Sequence, residues 1–130
     1  MKTLLLGFGL LTLFNCNASK TNADDNKNHD SQLIGKWSMA FDNASITRSR
    51  TITRDADGKF VADNATRIQG RAQRYQTSGT WWTDNGFYYE ANMQSGDTIK
   101  YKYKVDNVSK LSFEKEPSAE EDYKYFEVRQ

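Results

Sequence analysis

From about Gln32 to Arg129 the chain alternates apolar and polar residues with a period of two. The clearest run is "TIKYKYKVD", with Ile99, Tyr101, Tyr103 and Val105 on one face and Lys100, Lys102 and Lys104 on the other. Such alternation of aromatic and β-branched residues with polar ones marks a half-buried strand. "KLSFEKE" repeats it with Leu111 and Phe113, and "EDYKYFEVRQ" has strand composition. No stretch has helical periodicity, and the only proline is Pro117. Turn chemistry at Asp55 to Gly58, Asp84 to Gly86, Ser95 to Asp97 and Asp106-Asn107 cuts the chain at short intervals. The strands predicted between these cuts are Lys36–Asp42, Ile46–Arg54, Lys59–Asp63, Thr66–Tyr75, Gly79–Thr83, Phe87–Met93, Thr98–Val105, Lys110–Glu116 and Tyr123–Arg129. Eight or nine short antiparallel strands with one apolar face imply an all-β, up-and-down meander. It escapes edge exposure by closing into a barrel, with an open β-sandwich as the alternative.

The stretch "SGTWWTDNGFYYEAN" puts Trp81 and Trp82 side by side, so they must point to opposite faces. After the turn, Phe87, Tyr89, Ala91 and Met93 form the more apolar face, and Tyr88, Glu90 and Asn92 the polar one. A two-residue Asn85-Gly86 loop would pair Asp84 with Phe87 and Trp82 with Tyr89, turning Trp82 inward. A three-residue loop of Asp84, Asn85 and Gly86 would pair Thr83 with Phe87 and turn Trp81 inward. The three-residue loop keeps Asp84 off the inner face, so the expectation is Trp81 inside and Trp82 outside with Tyr88.

The beginning of the chain has a different pattern. Lys2 precedes an apolar run from Leu4 to Phe14, shorter than the roughly 20 residues a helix needs to cross a bilayer. A charged tip, a short apolar run and small polar residues describe a secretory signal. The single cysteine, Cys16, cannot form an internal disulfide. With Leu13 three positions ahead of it, Cys16 resembles the lipidated cysteine of the bacterial lipobox. The resemblance implies an exported chain, lipid-anchored at the outer membrane and facing the periplasm or the cell surface. The alternative is cleavage after Ala18 or Ala23, releasing a soluble periplasmic or secreted protein. Residues 17–31 contain no aromatic or large aliphatic side chain and read as a disordered polar tether, with His29 solvated within it. The folded domain is then residues 32–130, and residues 1–16 are the signal.

"LIGKWSM" places a Gly-x-Trp motif, Gly35 to Trp37, at the start of the first strand, and "SGTWW" repeats it at Gly79 to Trp81. The first motif resembles the opening of lipocalins and smaller lipocalin-like domains of the calycin group. The resemblance implies a barrel whose floor is closed by Trp37, with Arg129 from the last strand packed across it. It also implies a ligand cavity, which Trp37, Trp81, Tyr89, Tyr101, Tyr103 and Arg129 would line. Large aromatic side chains are equally good filler, and a solid core is the weightier reading, because eight strands leave room for little more than side chains.

From Ile46 to Tyr75 the chain carries six arginines and one lysine against three aspartates. In "ITRSRTITR", Arg48, Arg50 and Arg54 share parity with Ile46 and Ile52. These arginines are expected on a solvated outer face, where lipid phosphates or an acidic protein could meet them. The alternative is one arginine inside the barrel holding a ligand carboxylate. Trp82 and Tyr88 would complete an exposed binding surface with Arg48, Arg50 and Arg54.

Overall net charge is +1, a poor match for nucleic acid. From Gln32 onward there is no His and no Cys, which removes the usual general base, thiol nucleophile and most zinc sites. Asp55 to Gly58 lacks the glutamate an EF-hand requires at its twelfth position, which is Thr66. The sequence points to a non-catalytic envelope binding protein needing no cofactor or metal. It would take a small amphipathic ligand in the barrel or an envelope lipid at its surface, and touch the membrane only through its anchor. The alternative is a protein-interaction module, such as an inhibitor, immunity or assembly factor, with a solid core.

Overall fold

A computed structural model describes residues 27–42, 45–116 and 124–130. Eight antiparallel strands follow one another: β1 (Gly35–Asp42), β2 (Ile46–Arg54), β3 (Lys59–Ile68), β4 (Arg71–Asp84), β5 (Phe87–Asn92), β6 (Thr98–Asn107), β7 (Lys110–Glu116) and β8 (Lys124–Arg129). Each pairs with the next, and β1 pairs with β8 through Trp37 opposite Arg129 and Ser38 opposite Val128. The sheet is therefore a closed up-and-down barrel, and the open sandwich is excluded. Residues 1–26, including the predicted signal, most of the tether and Cys16, lie outside the described residues.

Two turns depart from expectation. Thr66–Tyr75 is not one strand, because Gln69 and Gly70 both take left-handed conformations, with φ of 50° and 77°, and reverse the chain there. β3 and β4 are consequently long, and the stretch Gly79–Thr83 is the end of β4 rather than a ninth strand. The β4–β5 loop is the two-residue Asn85-Gly86 turn, with φ of 49° and 82°, and Asp84 pairs with Phe87. Two consecutive positive φ values give the twist that a tight hairpin needs.

The inner face is then fixed by register. Trp37, Ile52, Phe60, Ala62, Trp81, Tyr88, Leu111 and Phe113 are buried, and Leu33 joins them from a 3₁₀ turn, Ser31–Leu33, ahead of β1. The Trp37 indole donates to the Leu33 carbonyl at 3.0 Å. Arg129 spreads over the Trp37 ring at 4.2 Å from its centroid and donates to the carbonyls of Val108, Ile34 and Gln32. This end of the barrel, where β1 begins and β8 ends, is sealed.

Residues 27–31, expected in the tether, instead complete that seal. Thr83 donates its amide to the Asn28 carbonyl at 2.8 Å, and the His29 ring meets Trp81 edge-on with centroids 5.0 Å apart. Asp30 caps the 3₁₀ turn through Gln32 and accepts from the Tyr103 hydroxyl at 2.8 Å. A segment without large apolar side chains is held here by backbone and polar bonds that composition does not display.

Gly79 of β4 pairs with Asn92 at the end of β5. A Cβ there would run into the carbonyl oxygen of Ala91, with the Phe60 ring on its other side. Gly79→Ala should cost more than about 2 kcal/mol of stability, because backbone has to move. Urea unfolding measures this, and a loss below about 0.5 kcal/mol, the range of ordinary surface substitutions, would show that the two strands separate readily.

Candidate functional site

Alternation along β2 carries Arg50 and Arg54 inward on the same face as Ile52, so the expectation that they lie on a solvated outer face is overturned. Arg54 is 1% exposed. Its guanidinium makes two parallel bonds to Glu127 of β8, Nη1 to Oε2 at 2.7 Å and Nη2 to Oε1 at 2.9 Å. Its third donor, Nε, reaches the Tyr88 hydroxyl at 3.0 Å. Tyr88 in turn donates to Glu90 Oε1 at 3.1 Å, and the same oxygen accepts from Arg50 Nη2 at 2.8 Å. A continuous polar chain, Glu127–Arg54–Tyr88–Glu90–Arg50, thus runs through the interior with two positive and two negative groups.

Tyr88 was expected outside with Trp82, but it is fully buried at the centre of this chain. Tyr89 was expected inside, but it is on the outer face, its ring stacked on Trp82 at 5.2 Å and 3°. Polarity misassigned β5: its hydroxyl and carboxylate point inward because Arg54 and Arg50 offer them charge-assisted partners. Trp81 is inward and fully buried, as expected, although the loop that places it is the shorter one. Trp82 is outside and half-buried beneath Lys27, whose Nζ lies 3.8 Å from the ring centroid. Arg48 is exposed on the rim of the barrel's other end.

That other end is the mouth, where β1 gives way to β2 and β5 to β6. A cavity of about 530 Å³ opens there. Arg50 and Glu90 lie at its lining beside Tyr101 and Tyr125, with Met39 and Ile99 as apolar walls and Asn64 and Thr77 as polar ones. Asn64 donates its amide to Thr77 Oγ1 at 3.1 Å, stiffening the β3–β4 wall. Of the residues expected to line a ligand cavity, Tyr101 does so. Trp37 and Trp81 fill the sealed end, Arg129 covers it and Tyr103 is tied to Asp30 near it. Glu90 and Tyr125, which the sequence did not single out for the site, border the cavity. The available signal was register: Arg50 and Arg54 share parity with a buried isoleucine and need internal carboxylates. Two buried polar atoms lack a hydrogen-bond partner among the described residues, Arg50 Nε and the Tyr125 hydroxyl, both on residues bordering this cavity.

Electrostatics follow from burial. Desolvation opposes the charges of Arg50 and Arg54, but Glu90 and Glu127 outweigh it and hold both guanidiniums more firmly protonated than usual. Burial pushes the Tyr88 phenol well above its ordinary value, with Arg54 opposing. Tyr125 moves the same way, through burial and then the Tyr101 phenol. Tyr101 is pushed up to about 12 by burial and then by Glu90. Tyr103 also rises to about 12, by burial and by its bond to Asp30. The phenols of Tyr101 and Tyr125 and the Arg50 guanidinium at the cavity therefore stay protonated across the neutral range. Among the described residues no three His, Cys, Asp or Glu side chains gather to hold a metal ion.

No protein-family model matches the chain, and none of the curated proteins compared with it matches.

Two outcomes follow from the polar chain. Glu127→Gln, which strands a buried guanidinium, should destabilise the barrel by about 3–5 kcal/mol, and Arg54→Met with Glu127→Leu should recover most of that loss. Urea unfolding of both variants checks it. Tyr101 and Tyr103 have folded pKa values of about 12, above the ordinary value of 10.0. Between those values the folded chain binds more protons than the unfolded one, so stability is full below pH 10 and falls as pH rises toward 12. Ultraviolet titration of tyrosinate, alongside unfolding at each pH, should show this coupled loss.

Proposed function

We propose that this chain is a non-catalytic binding protein of lipocalin-like type, taking a small amphipathic ligand into the open half of its barrel. The observation that carries this reading is the mouth cavity itself. At about 530 Å³ it falls inside the roughly 300–1,000 Å³ range of small-molecule pockets. Its lining is amphipathic, with Met39 and Ile99 against Arg50, Glu90 and Tyr101. The lipocalin-like assignment is supported by the eight-strand meander and by Trp37 at the sealed end beneath Arg129. The apolar run before Cys16 supports an exported, lipid-anchored protein of the bacterial envelope. On this reading no cofactor takes part.

A second reading, a protein-interaction module, is favoured by the filled half of the barrel, where Trp37, Trp81, Tyr88 and Leu111 are fully buried. The two separate on one variant. An environment-sensitive anionic naphthalene dye should gain fluorescence on mixing with the protein, and Ile99→Trp, which narrows the mouth, should weaken that binding about tenfold or more. Trp82→Ala, on the outer face, should leave it unchanged. A dye indifferent to Ile99→Trp would remove the mouth from consideration and leave the interaction module.

A further inference from the structure

The outer wall of β5–β8 differs in kind from the rest of the surface. Outward positions of β2 are threonine and serine, whereas those of β6 are Thr98, Lys100, Lys102, Lys104 and Asp106. Lys110 of β7 and Lys124 of β8 extend the set to five lysines against the outward carboxylates Asp106, Glu114 and Glu116, and every basic residue on these outward positions is lysine. Between them runs a groove of about 540 Å³, walled by Phe87 and Phe126 and bordered by Lys102, Lys104, Lys124 and one carboxylate, Glu114. Phe126 is 57% exposed and Val128 47%. Lysines lie over the outward rings: Lys100 is 4.1 Å from the Phe87 centroid and Lys110 is 4.2 Å from that of Phe126. Register sets Lys100 opposite Glu116 and both Lys102 and Lys124 opposite Glu114, whereas Lys104 lies opposite Ser112 and Lys110 opposite Val128, so positive charge stays in excess on the wall.

We infer that this wall docks on a bilayer surface through its anionic phospholipid headgroups. Protein interfaces favour arginine and are depleted in lysine, the reverse of this wall. Lysine clusters acting as mobile point charges are what an anionic leaflet attracts. Exposed phenylalanine rings set among lysines are the combination that interfacial membrane-binding faces present, the rings entering the boundary of headgroups and acyl chains. Phe87 and Phe126 enter that layer while the lysine stems lie along them and their ammonium groups meet phosphate. The site opens on the outer wall, shares only Tyr125 with the lining of the mouth cavity, and stands whether or not that cavity holds a ligand.

The test uses the full chain and reads the ratio of its partitioning onto two sets of vesicles. One is phosphatidylcholine alone, and the other contains phosphatidylglycerol as a minor component. Any contribution of the apolar N-terminal run is common to the variants and cancels when their ratios are compared. The expected ratio favours the anionic vesicles at low salt and collapses as salt rises. It should fall about fivefold for each of Lys102→Gln and Lys104→Gln. Arg74→Gln, the same loss of charge on outward β4, should leave it within about twofold. All three positions are exposed, so folding, read by circular dichroism, is expected to be unchanged. An equal fall for Arg74→Gln would reduce the effect to net charge and overturn the inference. A wild-type ratio near one would also overturn it. So would polyglutamate binding lost in Lys102→Gln with no vesicle preference, which would assign the wall to an acidic protein.

Discussion

The bidentate bond between Arg54 and Glu127 joins the second strand to the last across the inside of a closed barrel. Both side chains are almost wholly removed from water, so neither charge is tolerable without the other. That mutual dependence fixes register. Moving β8 by one residue would turn Glu127 outward and leave Arg54 alone in the interior, because side chains alternate with every residue. β8 also closes the barrel against β1, so the same pair selects the closed sheet over one that frays at its last strand. Apolar packing alone would be less selective, since a slipped strand can still offer some apolar face.

From this pair the polar chain extends through Tyr88 and Glu90 to Arg50, and it divides the barrel. On its sealed side, Trp37, Trp81 and Leu33 fill the space, while Arg129 and residues 27–31 close the end. On the other side the interior opens into the mouth, where the last members of the chain, Glu90 and Arg50, become cavity lining. The interactions that specify the fold therefore also set the chemistry of the cavity. The cavity offers a guanidinium already tied to a carboxylate, flanked by phenols that burial keeps protonated. Filler occupies the sealed end and polar lining the open one, the division on which the proposed binding function rests.

The barrel was legible because strand alternation and turn residues are local signals. Ile46–Arg54 and Lys110–Glu116 can be read directly from them. The β3–β4 turn was hidden because a glutamine precedes Gly70 where asparagine or aspartate would advertise a tight hairpin. The interior of β5 was hidden for a different reason. Polarity assigned Phe87 and Tyr89 to the core, yet Tyr88 and Glu90 are inside because arginines forty and thirty-four residues earlier require them. The expectation for Trp81 was met only because two errors offset each other, a loop one residue too long and an inner face one residue out of phase. The arginines carried the correction in plain view, sharing parity with Ile52, but a rule that sends charge to the surface overrode it. Pairing between distant strands is what a single sequence displays least.

The most direct measurement of a polar chain inside the barrel is nuclear magnetic resonance of arginine side chains in uniformly ¹⁵N-labelled protein. If Arg54 is held as described, its Nε–H signal is dispersed from those of exposed arginines such as Arg48 and Arg74. It exchanges with water far more slowly, and Glu127→Gln or Tyr88→Phe shifts it selectively. Arginine Nε–H signals that all exchange at solvent rates, with none shifted by either substitution, would contradict a buried Arg54 and the division of the barrel that follows from it.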